Sequence, residues 1–352
     1  MAVYTTIDDP SAYFQCTLYA GNNGTQTITH GGNSDLQADL IWGKARNDTA
    51  AHFRIDSVRG VSKRFKQNAD AESTVSTGIT AIGSDSFAVG NDGDFNDTGI
   101  NYVSWNWKAG TSVSGNTTGS GTAKAYTGSV STTAGFSIIK YLGNGTAGHT
   151  IPHHLGAAPK MIIVKSTEGS RSWIVLPPVT DGHDKDLKLN DTDAIGGSDV
   201  WNNVAPSSTV FSVGSNAVMN NNDVALIAYS FAEKQGYSKF GSYVGNGNAD
   251  GTFVYTGFKP AWVMTKSSAT TSNWEIKDNK RLGYNTVDTY IKANAGAAED
   301  TGVSSHAMDF LSNGFKHRGN NDEVNGSGEA YIYMAFAENP FVTSSGVPAL
   351  AR

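Results

Sequence analysis

The chain has 352 residues, of which 40 are glycine and only 16% are charged, with a net charge of −6 and one cysteine. Glycine at about 11%, against a usual 7% or so, marks a turn-rich β protein, and the acidic balance gives no pull toward the phosphates of a nucleic acid. A lone Cys16 excludes an intrachain disulfide, and no stretch nears the eighteen apolar residues of a membrane span, so no membrane insertion is expected.

The amino terminus MAVYTTIDDPSAYFQ has neither the basic start nor the apolar core of a signal peptide. The first expected unit covers residues 1–108. It contains YAGNNGT around Gly21, an apolar run closed by a lysine (LIWGK, Lys44), an aromatic at Phe53 in the next run, and a closing run YVSWNW that ends on Trp107. Before that closing run, GNDGDFNDTGIN places Asp92, Asp94 and Asn96 at alternate positions, a spacing that lets a tight loop turn several oxygens onto a calcium ion. The glutamate expected at the twelfth position of such a loop is replaced by Val103, and an Asx-stabilised turn is the competing reading. No other cofactor is expected.

Residues 109–134 are rich in Gly, Ser and Thr and almost devoid of large apolar side chains, which predicts a linker that lets the first unit sit apart. The second unit, residues 135–234, writes the same sentence again: YLGNGT (Gly143), MIIVK (Lys165), Trp173, and LIAYSF ending on Phe231. The third, residues 235–342, reads YVGNGN (Gly245), WVMTK (Lys266), Trp274, and YIYMAF ending on Phe336, followed by a tail at 343–352. The glycines are spaced 122 and 102 residues apart and the lysines 121 and 101, so the registers agree and the chain is a threefold internal repeat.

Within each unit the period is two. The closing runs carry their bulk on one parity in all three copies: Val103, Trp105, Trp107; Ile227, Tyr229, Phe231; Ile332, Met334, Phe336. Short runs separated by Gly/Asn/Asp turns predict an all-β fold of three tandem antiparallel β-sandwich, jelly-roll-like repeats, with one short helix in VSSHAMDFLSNGF. Asp56 with Arg59, echoed by Asp278 with Arg281, reads as a local ion pair that the second unit lacks; His149, His153 and His154 read as strand and turn residues. Trp201 in SDVWNNVAP has no repeat counterpart and stands among polar residues. With Asn202 and Asn203 it is the candidate surface anchor for a glycan or receptor. No nucleophile elbow or phosphate loop is present, and the chain is expected to be no enzyme.

The stretches TTIDDPSAYFQCTLYAGNNGTQTITHGGNSDLQADLIWGK, HFRIDSVRGVSKRF, YVSWNWKAG, HTIPHHLGAAPKMIIVKS and MAFAENPFVTSSGVPALAR resemble a repeat family of virion proteins from marine, cyanophage-like tailed bacteriophages. The resemblance implies a virion structural protein, released by lysis of the host, that acts as a tail-fibre or receptor-binding component. The alternative it leaves open is capsid decoration. The implied partners are other virion proteins and a host surface glycan or receptor, in a homo-oligomer with a trimer favoured.

Overall fold

The computed structural model describes residues 4–178 and 183–348; residues 1–3, 179–182 and 349–352, the end of the expected tail among them, lie outside the described part. The described chain is nearly all β, and its helices are single turns, none long and apolar enough to cross a membrane.

Three stretches build the same four-stranded order. An opening strand (Phe14–Ala20, Phe136–Leu142, Ser238–Val244) pairs with a closing strand (Asn101–Trp107, Ala225–Phe231, Ala330–Pro340). The closing strand pairs with a lysine strand (Leu40–Ala45, Met161–Ser166, Phe258–Ser267), and that pairs with an outer strand (Phe53–Asp56, Ile174–Leu176, Glu275–Asp278). All pairings are antiparallel, and the register repeats: Lys44, Lys165 and Lys266 stand opposite Val103, Ile227 and Ile332. Each large sheet faces a small three-stranded one, and a separate apolar cluster fills the space between the two in each lobe. The expected helix in VSSHAMDFLSNGF is instead a short 3-10 turn, Ser304–His306, followed by the strands Met308–Leu311 and Gly314–His317, because its apolar residues alternate.

The shared parity of the closing strands does not face the lobes' own cores. Val103, Trp105, Trp107, Ile227, Tyr229, Phe231, Ile332, Met334 and Phe336 all belong to one further cluster in which the outer faces of the three large sheets meet. The rings of Trp107 and Phe231 lie 5.6 and 6.0 Å from that of Phe336. A large sheet in this protein is therefore buried on both faces, which explains runs such as MIIVKS that are buried at every position.

Two expectations are corrected here. The first lobe does not sit apart: Phe14 stacks on Phe336 with ring centroids 5.2 Å apart, and Trp42, Phe65 and Trp107 join the shared centre. Residues 109–134 are not a loose linker. Thr111–Asn116 and Ala125–Ser131 form a hairpin added to the second large sheet, and Thr118–Gly119 pairs with His149–Pro152 of the small one. A strand laid on an existing sheet edge needs few apolar side chains, here Tyr126 and Val130, so low apolar content does not distinguish it from a linker.

Candidate functional site

The repeated YxGN motif forms a clasp in each lobe. Just before the closing strand a helical turn (Gly93–Asn96, Ala217–Asn220, Asp322–Asn325) begins on a capping Asp92, Asn216 or Asn321 and ends on a fully buried asparagine, Asn96, Asn220 or Asn325. That asparagine's Oδ1 accepts from the amide after the shared glycine, Asn22, Asn144 or Asn246, at 2.8–3.1 Å. Its Nδ2 donates to one carbonyl of the glycine loop (Gly24, Thr146, Asn248) and to the carbonyl six residues upstream (Gly90, Gly214, Gly319). Gly21, Gly143 and Gly245 are required by this close approach, because a methyl there would overlap the carbonyl oxygen of Asp97, Asn221 or Gly326.

The calcium reading of Asp92, Asp94 and Asn96 is thereby corrected. Asp92 accepts the Asp94 amide as a helix cap, Asp94 pairs with Arg64, and Asn96 spends both ends of its amide on the clasp. Trp201 is also displaced from its expected role. It is 1% exposed in the core of the second lobe, with its ring 6.1 Å from Phe211. Asn202 and Asn203 take left-handed turn conformations beside it, and Asn202 donates to Ser212 Oγ at 3.2 Å. His149 is buried between Asn220 and Thr117, and His153 and His154 bind Ser207 and Tyr126.

The lobes are joined by a cyclic set of polar contacts. Trp173 of the second lobe donates its indole N–H to the carbonyls of Lys66 and Asn68 in the first, and Trp274 of the third donates to Lys188 of the second. The ring is closed by His52: its Nδ1 accepts from Trp42 Nε1 at 2.9 Å, which leaves Nε2 to donate to Lys292 and Ala295 of the third lobe at 3.0 and 3.1 Å. His52, not Phe53, is the register equivalent of Trp173 and Trp274, since Phe53, Ile174 and Glu275 stand opposite Gly43, Val164 and Thr265. Burial, with Arg54 and Lys44 nearby, pushes the His52 pKa well below the usual imidazole value.

The two Asp–Arg pairs sit on this seam and reach beyond their own lobes. Asp56 Oδ2 takes Arg59 Nε at 2.6 Å and the hydroxyl of Tyr229, from the second lobe, at 2.7 Å. Asp278 Oδ2 takes Arg281 Nε at 2.6 Å and the indole of Trp105, from the first lobe, at 3.0 Å. Tyr229, Trp105 and Met334 are register equivalents. Pro177 replaces the aspartate in the second lobe, and the residue matching its missing donor is Met334, which has no proton to give. The marker lysines lie at the rim of the shared core with no exposed surface. Each turns Nζ onto backbone carbonyls, and burial lowers each pKa to about 8.

One polar cluster is confined to the third lobe. Glu275 and Lys277 replace Phe53 and Ile55 of the first lobe and Ile174 and Leu176 of the second. Glu275 bonds His306 Nδ1 at 2.6 Å and Lys277 Nζ at 2.7 Å; despite burial, those partners hold its pKa at about 2. Ligand atoms of Glu275, His306 and Glu323 lie within 4.8 Å of one another, the one such set of three among the described residues. Within that set Glu275 is already paired with Lys277 and His306, and Glu323 Oε1 accepts from Asn273 Nδ2 at 2.8 Å. His317, which matches Val89 and Val213, is fully buried with both ring nitrogens unpartnered, and desolvation followed by Lys277 lowers its pKa to about 3. Sequence reasoning missed His52, Glu275, Lys277 and His317. Aligning HFRID, WIVLP and WEIKD by the eight-residue step from each marker lysine exposes the first three.

Over residues 9–340 the chain matches a family described as a domain of unknown function, DUF7483. The chain belongs to that family. The match runs through all three lobes, in keeping with their common core. No curated protein and no solved structure matches it.

Proposed function

We propose that the chain is a non-enzymatic structural protein of a tailed-bacteriophage particle, exposed on its surface as a tail-fibre component that meets the host. The observation that carries this reading is the closed seam: three lobes of one repeated fold are locked around one apolar centre by His52, Trp173 and Trp274. A particle part that bears load gains from such a body. A single chain would also supply the threefold form that otherwise needs three copies. Capsid decoration is the second reading, favoured by the burial of Trp201, which removes the expected receptor anchor. Gold-labelled antibody against the purified chain, applied to intact particles, tests both. Label at the tail supports the fibre, label over the shell supports decoration, and unlabelled particles overturn the virion reading.

A further inference from the structure

In the second lobe the outer edges of both sheets are covered by one segment. Ala125–Ser131 pairs along the opening strand Phe136–Leu142, and Thr118–Gly119 pairs with His149–Pro152, where Ser120 donates to the Gly148 carbonyl at 2.9 Å. Tyr126 and Val130 of that segment are buried in the lobe's core.

The third lobe has the same two edges without the segment. Ser238–Val244 and Phe253–Tyr255 are the terminal strands of their sheets, and no strand among the described residues pairs with their outer sides. What the edge presents also differs. Leu142 is half-covered in the second lobe, whereas its equivalent Val244 is 58% exposed; Phe253 and Tyr255, which match Thr150 and Pro152, are 43% and 54% exposed. The first lobe leaves the corresponding edge free as well, but places Ala20, Thr27 and Thr29 at these three positions, with Leu18, 39% exposed, the large apolar side chain bared on its opening strand. A free sheet edge is normally blunted by charge or polarity, and an edge that carries a valine and two aromatics invites pairing.

We propose that the outer edge of the third lobe is a strand-accepting site, and that its occupant is a β-hairpin of another polypeptide, built like residues 111–131. The hairpin's first-bound arm would extend the large sheet along Ser238–Val244 while its turn covers Phe253 and Tyr255, the mode of strand addition in which backbone bonds give affinity and alternate side chains give specificity. The second lobe is the template, since the same fold already accepts such a segment there. The surface stands without the virion reading, which enters only in placing the partner among the proteins of the particle.

The probe is a synthetic peptide of residues 109–134, titrated into the purified full chain. Saturable one-to-one binding is expected, weakened about tenfold or more by Val244→Lys with Phe253→Lys, since lysine on an edge strand opposes pairing. Thr27→Lys in the first lobe should leave it unchanged. Both substituted sites are exposed, so unaltered denaturation midpoints would show that the fold is intact. Absence of binding, or binding that ignores the lysines at 244 and 253 because the peptide exchanges with its own copy in the second lobe, overturns the proposal. Sedimentation that shows self-association lost in the same variant overturns the hairpin assignment in favour of edge pairing between copies.

Discussion

Replacing Asn220 by alanine removes the partner of the buried His149 Nδ1 at 3.0 Å and orphans three backbone groups: the Asn144 amide at 2.8 Å, the Gly214 carbonyl at 2.8 Å and the Thr146 carbonyl at 2.9 Å. Thr146 is exposed, so water can take over its carbonyl, whereas Asn144 and Gly214 are buried. Two backbone groups then lose their partners out of reach of solvent, each at about 1–3 kcal/mol, which gives at least about 2–6 kcal/mol for the substitution. Against a typical total of about 5–15 kcal/mol, that is a large fraction. Denaturant titration followed by tryptophan fluorescence reads it directly, with Asn96→Ala and Asn325→Ala expected in the same range. The sharper variant is Asn220→Asp, which keeps the shape and can still accept from Asn144 but has no proton for the two carbonyls it faces. It should cost at least as much as alanine at neutral pH. A loss below about 1 kcal/mol for Asn220→Asp would show that the clasp is held by shape alone, and the account of the repeated YxGN motif would fail.

The seam, the second-lobe core and the buried histidines give further expectations. Tyr229→Phe leaves Asp56 without its donor from the second lobe and should cost about 1.5–3 kcal/mol, as a bond to a charged group does, while Met334→Leu at the equivalent place should cost less than about 1.5. Equal losses in chemical denaturation would deny the seam its polar share. Trp201→Ala should lose about 3–5 kcal/mol by emptying a packed site, yet leave adhesion per folded molecule unaltered; reduced adhesion at full stability would restore the receptor anchor. Burial lowers His30 and His153 to about 4 and His317 to about 3, against 6.5 unfolded. With depressed folded values, their contribution is whole above pH 6.5 and is lost as pH falls toward 4 for His30 and His153 and toward 3 for His317, at up to about 1.4 kcal/mol per pH unit for each group. Denaturation midpoints that stay flat between pH 7 and 5 would contradict that burial.

How far the fold is legible follows from what a period of two encodes. Alternation in YVSWNW, LIAYSF and YIYMAF sets the strands and their register, and the all-β class follows. Alternation does not say which partner a face meets. Trp105 and Tyr229 point to neighbouring lobes because three sheets converge, and convergence is a property of the whole chain. Residues 111–131 mislead for the complementary reason: a strand laid on an existing edge needs only Tyr126 and Val130 as anchors, so its composition stays that of a linker. Trp201 misleads because its neighbours in sequence, Asp199, Asn202 and Asn203, form the polar turn around it while its ring enters the core.

Covalent linkage of the three lobes permits what identical copies could not. In a trimer of one repeat, every seam would carry the same pair of residues. Here each seam is written separately: tyrosine meets Asp56, tryptophan meets Asp278, and methionine stands where Pro177 offers no carboxylate. The absence of clamp and donor at the same seam is the physically required pairing, because a buried aspartate without its partners would cost several kcal/mol, whereas an apolar pair in that place leaves nothing unsatisfied. The same freedom lets the third lobe alone exchange apolar core positions for Glu275, Lys277 and His317, and lets it bare Val244, Phe253 and Tyr255 along one edge. Inserting aspartate at Pro177 tests the point. With Met334 opposite and no arginine three residues on, the carboxylate would be stranded, and chemical denaturation should show a loss of about 3–5 kcal/mol. Adding Met334→Tyr should recover part of it, and a double variant no more stable than the single one would refute the matching of clamp to donor.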